Sequence, residues 1–296
     1  MVLEMEIRQL QYFLEVAKQK NMTKAAEVLH ISQPALSKMV KNIEEELGMT
    51  LIIRSNKSSE VTDAGRIVME YAQKVNTLLE EMSTTLSDMT NLQHGSIHIG
   101  IPPIAGSLLF PKVIAEFHKA YSNIKINITE YPAPKLIREV LDGEIELGIA
   151  VLPIHETDIL TYPIVNEKMK LLVHTDHPLA TKKAVELIIL KDEEFIFFSE
   201  DFSLHDILWD QCIQVGFKPK ILFKSSQWDF MTEMVAARLG VTILPESLCN
   251  RIDNKMIKIM DLKPDIFWDL AVITKKDRYI SNAAQTFINF MLKQTL

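Results

Sequence analysis

The chain lacks the marks of several large functional classes. Its 296 residues hold two cysteines, Cys212 and Cys249. So few, with neither a secreted disulfide framework nor metal-knuckle spacing, imply reduced, buried thiols. No apolar run approaches the ~18 residues of a membrane helix, and no membrane partner is expected. Glu4 and Glu6 interrupt the N-terminus and no apolar h-region follows, so no export signal is expected and the location is cytoplasmic. Gly100 and Gly106 lack the following glycine of a dinucleotide fingerprint. No Gly-x-Ser-x-Gly elbow and no Ser, Cys or carboxylate dyad is present, so neither catalysis nor a cofactor is expected. His174 and His177 have metal-ligand spacing, but no further His or Cys cluster joins them, so no metal is expected. Short repeats and low-complexity tracts are also missing.

What is present suits a folded protein. Hydrophobic residues make up 47% of the chain, enough for a core, and the length suggests about two domains. The net charge of −7 at first argues against nucleic acid, but its distribution reverses that argument. Residues 1–66 carry nine basic and nine acidic side chains, so the whole acidic excess falls on the remainder. A neutral segment can bind DNA if its cations share a face. Lys38, Lys41, Arg54 and Lys57 can form one, with Glu44, Glu45 and Glu46 at the far end of the helix. Binding would then be modest and strongly salt-dependent.

The segment 21–66 carries the strongest local pattern. Thr23 can cap a helix over Thr23–His30, with Ala25, Ala26, Val28 and Leu29 on one side. Ser32 can cap a second helix running to Leu47. Pro34 sits in its first turn, where a missing N–H costs nothing. Ala35, Leu36, Met39, Val40, Ile43 and Leu47 give it an inward face, and Gly48 stops it. Two helices joined this tightly are a helix-turn-helix, whose second helix enters the major groove. Ile7, Leu10, Phe13, Leu14 and Ala17 mark a preceding helix. Strands over Thr50–Ile53 and Glu60–Thr62 flank a basic tip and make a wing. From Asp63 to about Asn91, Ile67, Tyr71, Val75, Leu78, Met82, Leu86 and Met89 recur as a coiled-coil-like seam. That helix either packs on its own domain or, with no second helix following, pairs with a copy of itself.

Beyond Ser96 the pattern becomes α/β. Strands are expected at Ile97–Ile101, Ile124–Ile128 and Ile145–Val151, with helices over Ala105–Tyr121 and Lys135–Leu141. A second set follows, with strands at Lys168–Val173, Phe195–Phe198, Lys220–Phe223 and Val241–Leu244 and helices at Ser203–Val215 and Asp229–Leu239. A strand at Trp268–Thr274 and a helix at Ser281–Lys293 can return to the first set. Two such lobes, with largely parallel sheets and chain crossings, make a hinged clamshell with a ligand cleft between them.

These residues resemble the LysR-type transcriptional regulators. Gln9-Leu10-Gln11-Tyr12-Phe13, Ala25-Ala26, Ser32-Gln33-Pro34-Ala35-Leu36-Ser37, Leu47-Gly48, Arg54 and Thr62-Asp63-Ala64-Gly65 carry the likeness. Leu141–Ile149, His177-Pro178-Leu179-Ala180, Val215–Pro219 and Leu239–Pro245 extend it over nearly the whole chain. The resemblance implies a winged helix-turn-helix domain at 1–62 and a dimerising linker helix at 63–94. It implies an effector domain at 95–296 like a periplasmic binding protein, with lobe I at about 95–163 and 266–296 and lobe II at about 164–265. It also implies promoter DNA, a small-molecule effector and RNA polymerase as partners, and a dimer that pairs again to a tetramer. Phe195–Phe198, Asp201-Phe202 and Ser226–Phe230 are similar to the CidR-like branch, which regulates holin-like operons and overflow carbon metabolism.

The expected DNA contacts are Thr23, Ser32, Gln33, Pro34, Ala35, Ser37, Lys38 and Lys41, with Arg54, Ser55 and Lys57 in the wing. Gln can bond adenine in two places, Lys can bond guanine or phosphate, and Ser either. The plainer reading is that some of these only cap or solvate the helix. The expected effector site is Pro102, Pro103, Ile104, Ala105, Gly106 and Ser107, the loop residues Ala133 and Pro134, and Ser199, Phe202, Gln227 and Trp228 from the second lobe. Family members often carry hydroxyls near Pro102 and Ile104, which this chain lacks. An apolar pocket with backbone donors is expected, suited to a small organic anion or an apolar effector. Two other readings stay open: a cytoplasmic solute sensor that does not bind DNA, and an architectural DNA binder with no effector.

Overall fold

Capping and inward faces fix the N-terminal helices. The structure, a computed structural model, describes residues 5–54, 59–90, 95–108 and 110–294. It divides into two units, Met1–Ser87 and Asp88–Leu296. The first contains α1 (Ile7–Gln19), α2 (Met22–Val28), α3 (Gln33–Leu47), β1 (Ile52–Arg54), β2 (Ser59–Val61) and the start of α4 (Asp63–Thr90). The cap of α2 is Asn21, whose side-chain oxygen accepts from the N–H groups of Thr23 and Lys24, both at 3.0 Å. This corrects the assignment to Thr23, which lies inside the helix. The earlier start also rotates the buried face onto Met22, Ala25 and Ala26, so Val28 falls outside it, 53% exposed. In α3, Ser32 Oγ accepts from Ala35 N–H at 3.3 Å, and Gly48 ends the helix at φ 66°. Leu36, Val40 and Ile43 face a core shared with Phe13, Val16, Leu51 and Ile52.

The wing is tied to that helix. The Glu44 carboxylate accepts from the N–H groups of Leu51 and Ile52 at 2.8 and 3.1 Å. β1 and β2 pair antiparallel, Ile52 opposite Val61 and Arg54 opposite Ser59. Thr50 and Thr62 fall outside the strands because Thr62 Oγ donates to Thr50 O at 2.7 Å and accepts from Gly65 N–H at 3.0 Å. Gly65 itself is required by space: a Cβ there would lie 2.3 Å from the Leu51 carbonyl oxygen.

The second unit contains β3 (Gly95–Ile101), α5 (Pro103–Leu108), α6 (Phe110–Ala120), β4 (Ile124–Glu130), α7 (Ala133–Asp142), β5 (Leu147–Val151) and β6 (Ile159–His174). Then come β7 (Ala184–Glu186), β8 (Glu194–Phe198), α8 (Ser203–Gln214), β9 (Lys220–Ser225), α9 (Trp228–Ala236), β10 (Thr242–Pro245) and α10 (Glu246–Cys249). β11 (Ile257–Lys263), β12 (Phe267–Lys275) and α11 (Asn282–Lys293) complete it. Of the helix expected over Ala105–Tyr121, α5 and α6 are described on either side of residue 109, which lies outside the described residues.

The main sheet runs β4-β3-β5-β12-β6-β11-β7, with β10 also paired to β6, and β8 and β9 pair separately in parallel. β3 is parallel to both β4 and β5, whereas β12 is antiparallel to β5 and β6. The lobe division expected near residues 163/164 falls inside β6, one strand of 16 residues. Its first part pairs only with β12, and its last part pairs with β10 and β11. Pro163 is accommodated at a register step opposite Leu270/Ala271, where a ladder bond is not required. β12 and α11 return to the first lobe: β12 pairs with β5, and Phe287 of α11 stands edge-on to Phe117 of α6 at 5.1 Å. No helix among the described residues is long and apolar enough to cross a membrane.

Candidate nucleic-acid interface and effector cleft

The faces of α3 are cleanly divided. Leu36, Val40 and Ile43 are buried, while Ser32, Gln33, Pro34, Lys38 and Lys41 are exposed and Ala35 and Ser37 are half-buried. Gln33, Ser37 and Lys41 follow at helical steps of four, with Lys38 beside them, so one outward face carries the polar ends. Lys41 Nζ lies 3.1 Å from a Glu45 oxygen, an exposed pair on the same helix that tempers its charge. Lys38 forms no ion pair among the described residues. Thr23 is exposed on α2. Arg54 closes β1, but its side chain, Ser55 and Lys57 lie outside the described residues.

Along α4 the seam is bare. Ile67, Tyr71, Leu78, Met82 and Leu86 are exposed, from 56% at Met82 to 64% at Leu78. Val75 is half-buried, and the Met89 side chain lies outside the described residues. Ala72, on another side of the helix, is buried. A row of large apolar side chains left in water marks an association surface.

In the second unit a small cavity of about 20 Å³ lies between the lobes. Of the residues expected there, Pro102, Pro103, Ile104, Ala105, Ala133 and Phe202 line it. Ala133 and Pro134 are in the first turn of α7, not in a loop, and Pro134 is off the wall. Gly106 lies behind the wall, against the Ile101 side chain, and the Ser107 side chain is outside the described residues. Ser199, Gln227 and Trp228 are elsewhere in lobe II. Ser199 N–H donates to Ser225 O at 3.1 Å, and Gln227 precedes α9, its N–H donating to Ser225 Oγ at 3.0 Å. Their places on the wall are taken by Asp201, Ser203 and Leu204 at the start of α8, together with Pro132, Val151 and Trp268. The first three adjoin Phe202 in sequence. Nothing local marks Val151 or Trp268, which reach the cleft through sheet pairing.

The wall is almost wholly carbon. The helices α7 and α8 begin there without a side-chain cap, at Pro132 and Phe202. Trp268 is 1% exposed, and its indole Nε1–H has no hydrogen-bond partner among the described residues. A buried donor left this way costs about 1–3 kcal/mol. Arg251, from the segment after α10, donates to Leu108 O at 2.6 Å and so ties lobe II to the end of α5.

The remaining reactive groups have local duties. His174 Nδ1 accepts from Asp176 N–H at 3.0 Å, and His177 Nδ1 accepts from Leu179 N–H at 3.2 Å. Cys212 and Cys249 are buried, and burial pushes both thiols up to about 12.

Two family descriptions cover this arrangement. Residues 7–66 match the bacterial regulatory helix-turn-helix protein, lysR family, and residues 90–295 match the LysR substrate binding domain. The chain belongs to the LysR family. It is a LysR-type transcriptional regulator, with a DNA-binding helix-turn-helix and an effector-binding domain. It is similar to the HTH-type transcriptional regulator YwbI of Bacillus subtilis, at 43% identity over 96% of this chain and 95% of that one. It is 31% identical to the transcriptional dual regulator GltC of the same organism, over 98% and 97% of the two chains. Among solved structures it resembles a full-length OxyR variant from Pseudomonas aeruginosa, with a TM-score of 0.78, 25% identity and coverage of 97% and 95%. These relatives are transcriptional regulators, not enzymes.

Proposed function

We propose that residues 1–62 read promoter DNA, that 63–94 join two chains, and that 95–296 respond to a ligand held between the lobes. The bare apolar seam of α4 carries this reading. Two chains paired along it present two α3 faces, which suits an operator of two half-sites. Gln33, Ser37 and Lys38 are the residues proposed to meet base edges, with Lys41 and the wing residues Arg54, Ser55 and Lys57 on phosphates. Dimers pair again to a tetramer, and the protein acts in the cytoplasm, where its DNA and RNA polymerase are.

The effector is a small organic acid or a comparably apolar molecule. The carbon wall and the two uncapped helix starts support that class. Ligand binding, not thiol oxidation, is the signal, because buried thiols held at about 12 supply little of the thiolate that oxidants attack. An effector acts only through unequal affinity for the two lobe arrangements, and so changes how the paired readers sit on DNA.

Gel retardation of the promoter region of the divergent neighbouring gene tests the reading. Pure protein at low salt is expected to retard that fragment, and a footprint is expected to change with organic acids. No retardation at low salt would sink the DNA reading.

A further inference from the structure

We propose that Thr62 is a positioning residue for DNA reading: its hydroxyl fixes α4 to the chain entering β1, so that the protein selects operators by the spacing of their two half-sites. The assignment rests on the reading of α3 as the DNA-reading helix and of the α4 seam as the surface that joins two chains. The Thr62 hydroxyl serves two elements at once. It donates to Thr50 O at 2.7 Å, just before β1, and accepts from Gly65 N–H at 3.0 Å, in the first turn of α4. The Thr62 N–H adds a bond to Leu51 O at 2.9 Å. Gly65 completes the joint, because its missing Cβ lets the first turn of α4 lie directly against the Leu51 carbonyl.

The same short segment is held from the other side by α3. Glu44 accepts from the N–H groups of Leu51 and Ile52, and the Leu51 side chain is buried in one core with Leu36, Val40 and Ile43. Thr62 therefore closes a continuous path from the reading helix to the pairing helix. A second tie lies about three turns further along α4, where Gln11 Nε2 of α1 donates to Asn76 Oδ1 at 3.1 Å. Between the two, Val68 and Met69 pack on the core of the reader. A helix held at both places does not swing independently of α3. Two chains paired along the seam then offer their α3 faces at one separation, and a mis-spaced operator engages only one of them and loses the gain of linkage. A valine in place of Thr62 neither donates nor accepts, so the Gly65 N–H loses its cap and Thr50 O its donor.

The test uses the full chain, the promoter fragment of the divergent neighbouring gene, and a copy of it lengthened between the footprinted half-sites by about half a helical turn, roughly five base pairs. The wild-type protein is expected to bind the lengthened copy about tenfold or more weakly. Thr62→Val is expected to sediment as the wild type does and to bind a duplex with a single half-site equally well. On the native fragment it is expected to lose about tenfold, with little difference left between the two spacings. Thr62→Ser, which keeps the hydroxyl, is expected to keep the wild-type preference. Because the change sits at a helix start, the wild-type comparison of spacings supplies a readout independent of any variant. A valine variant with the wild-type spacing preference, or one that also loses the single half-site, overturns the role of Thr62 and leaves the paired reader standing. A wild-type protein that binds both spacings equally overturns the stiff joint. If the native fragment is not retarded at low salt, the DNA reading itself is overturned, and this assignment with it.

Discussion

In the first unit, the α3 residues proposed to meet DNA share one outward face of one helix, and the side chains of the loop beside it lie outside the described residues. In the second unit, the cleft wall is drawn from residues near 102–105, 132–133, 151, 201–204 and 268, and it presents carbon. The difference follows from what each must bind. A phosphate backbone and base edges ask for exposed donors on a rigid rod, and α3 supplies them once Ser32 caps it and Leu36, Val40 and Ile43 anchor it. A small ligand asks for enclosure, which a single element cannot provide. Several strands and helix starts must therefore converge, and the two lobes share β6 and β12 so that they can do so.

The largest effect is expected where the first unit stops being self-sufficient. If the reader works only in pairs, charging the α4 seam disables it without touching α3. The double change Leu78→Glu and Met82→Glu places charges where exposed apolar side chains now stand. Sedimentation is expected to show monomers, and affinity for a two-half-site operator is expected to drop by about 100-fold or more, the avidity that linkage confers. A variant that remains dimeric would place the pairing surface elsewhere.

A smaller effect separates the duties within α3. Lys38→Ala is expected to cost about 1–3 kcal/mol of DNA affinity if Lys38 meets a guanine, with relaxed preference at that base. If it meets phosphate, the loss is uniform across sequences and the salt slope falls by about one. Gln33→Ala is expected to relax preference at an adenine. Retardation against salt and against a set of single-base operator changes distinguishes these outcomes. A Lys38→Ala protein with unaltered affinity and preference would remove α3 from the groove.

This contrast also explains what could be read from the chain. The helix-turn-helix was legible because caps, stop and inward face lie within one segment of sequence. The Ser32 cap and the Gly48 stop are local chemistry and appear where expected, and even the misplaced cap at Thr23 is a local matter, since Asn21 two residues earlier has the better acceptor. The α/β order was legible from the alternation at Ile97, Ile99 and Ile101 and the runs that follow. The cleft wall was legible only at Pro102–Ala105, Ala133 and Phe202. Gln227 and Trp228 were expected on the wall, but the start of α8, not of α9, lines the cavity. Trp268 could not be found at all, because sheet register brings it there and nothing beside it in sequence says so. The short β7 and α10 were missed for a related reason: with three and four residues, they have too little periodicity to show.

The smallest expected effect belongs to the shared strand. Glu167 lies on β6, and its carboxylate accepts from Ser247 N–H and Ser247 Oγ–H, both at 2.8 Å, at the start of α10. Burial pushes its pKa up, against the lowering effect of the two Ser247 bonds. An acid raised in the folded state holds its proton where the unfolded chain has lost it. The folded state then binds more protons, so its stability falls as pH rises from about 4.5 to the raised value and is level above it. Lys170 holds Asp261 below the usual carboxylate range, which acts in the opposite sense as pH falls. The wild-type profile alone therefore mixes the two. Glu167→Gln keeps an acceptor for Ser247 and removes the proton, so the difference between variant and wild type isolates Glu167. The variant is expected to gain relative stability as pH rises above about 4.5, reaching at most about 1 kcal/mol because solvent screens the carboxylate's open side. Urea denaturation of both proteins from pH 4 to pH 8 measures it. Parallel curves would mean that the charge is fully compensated in the fold and that β6 carries no titrating strain.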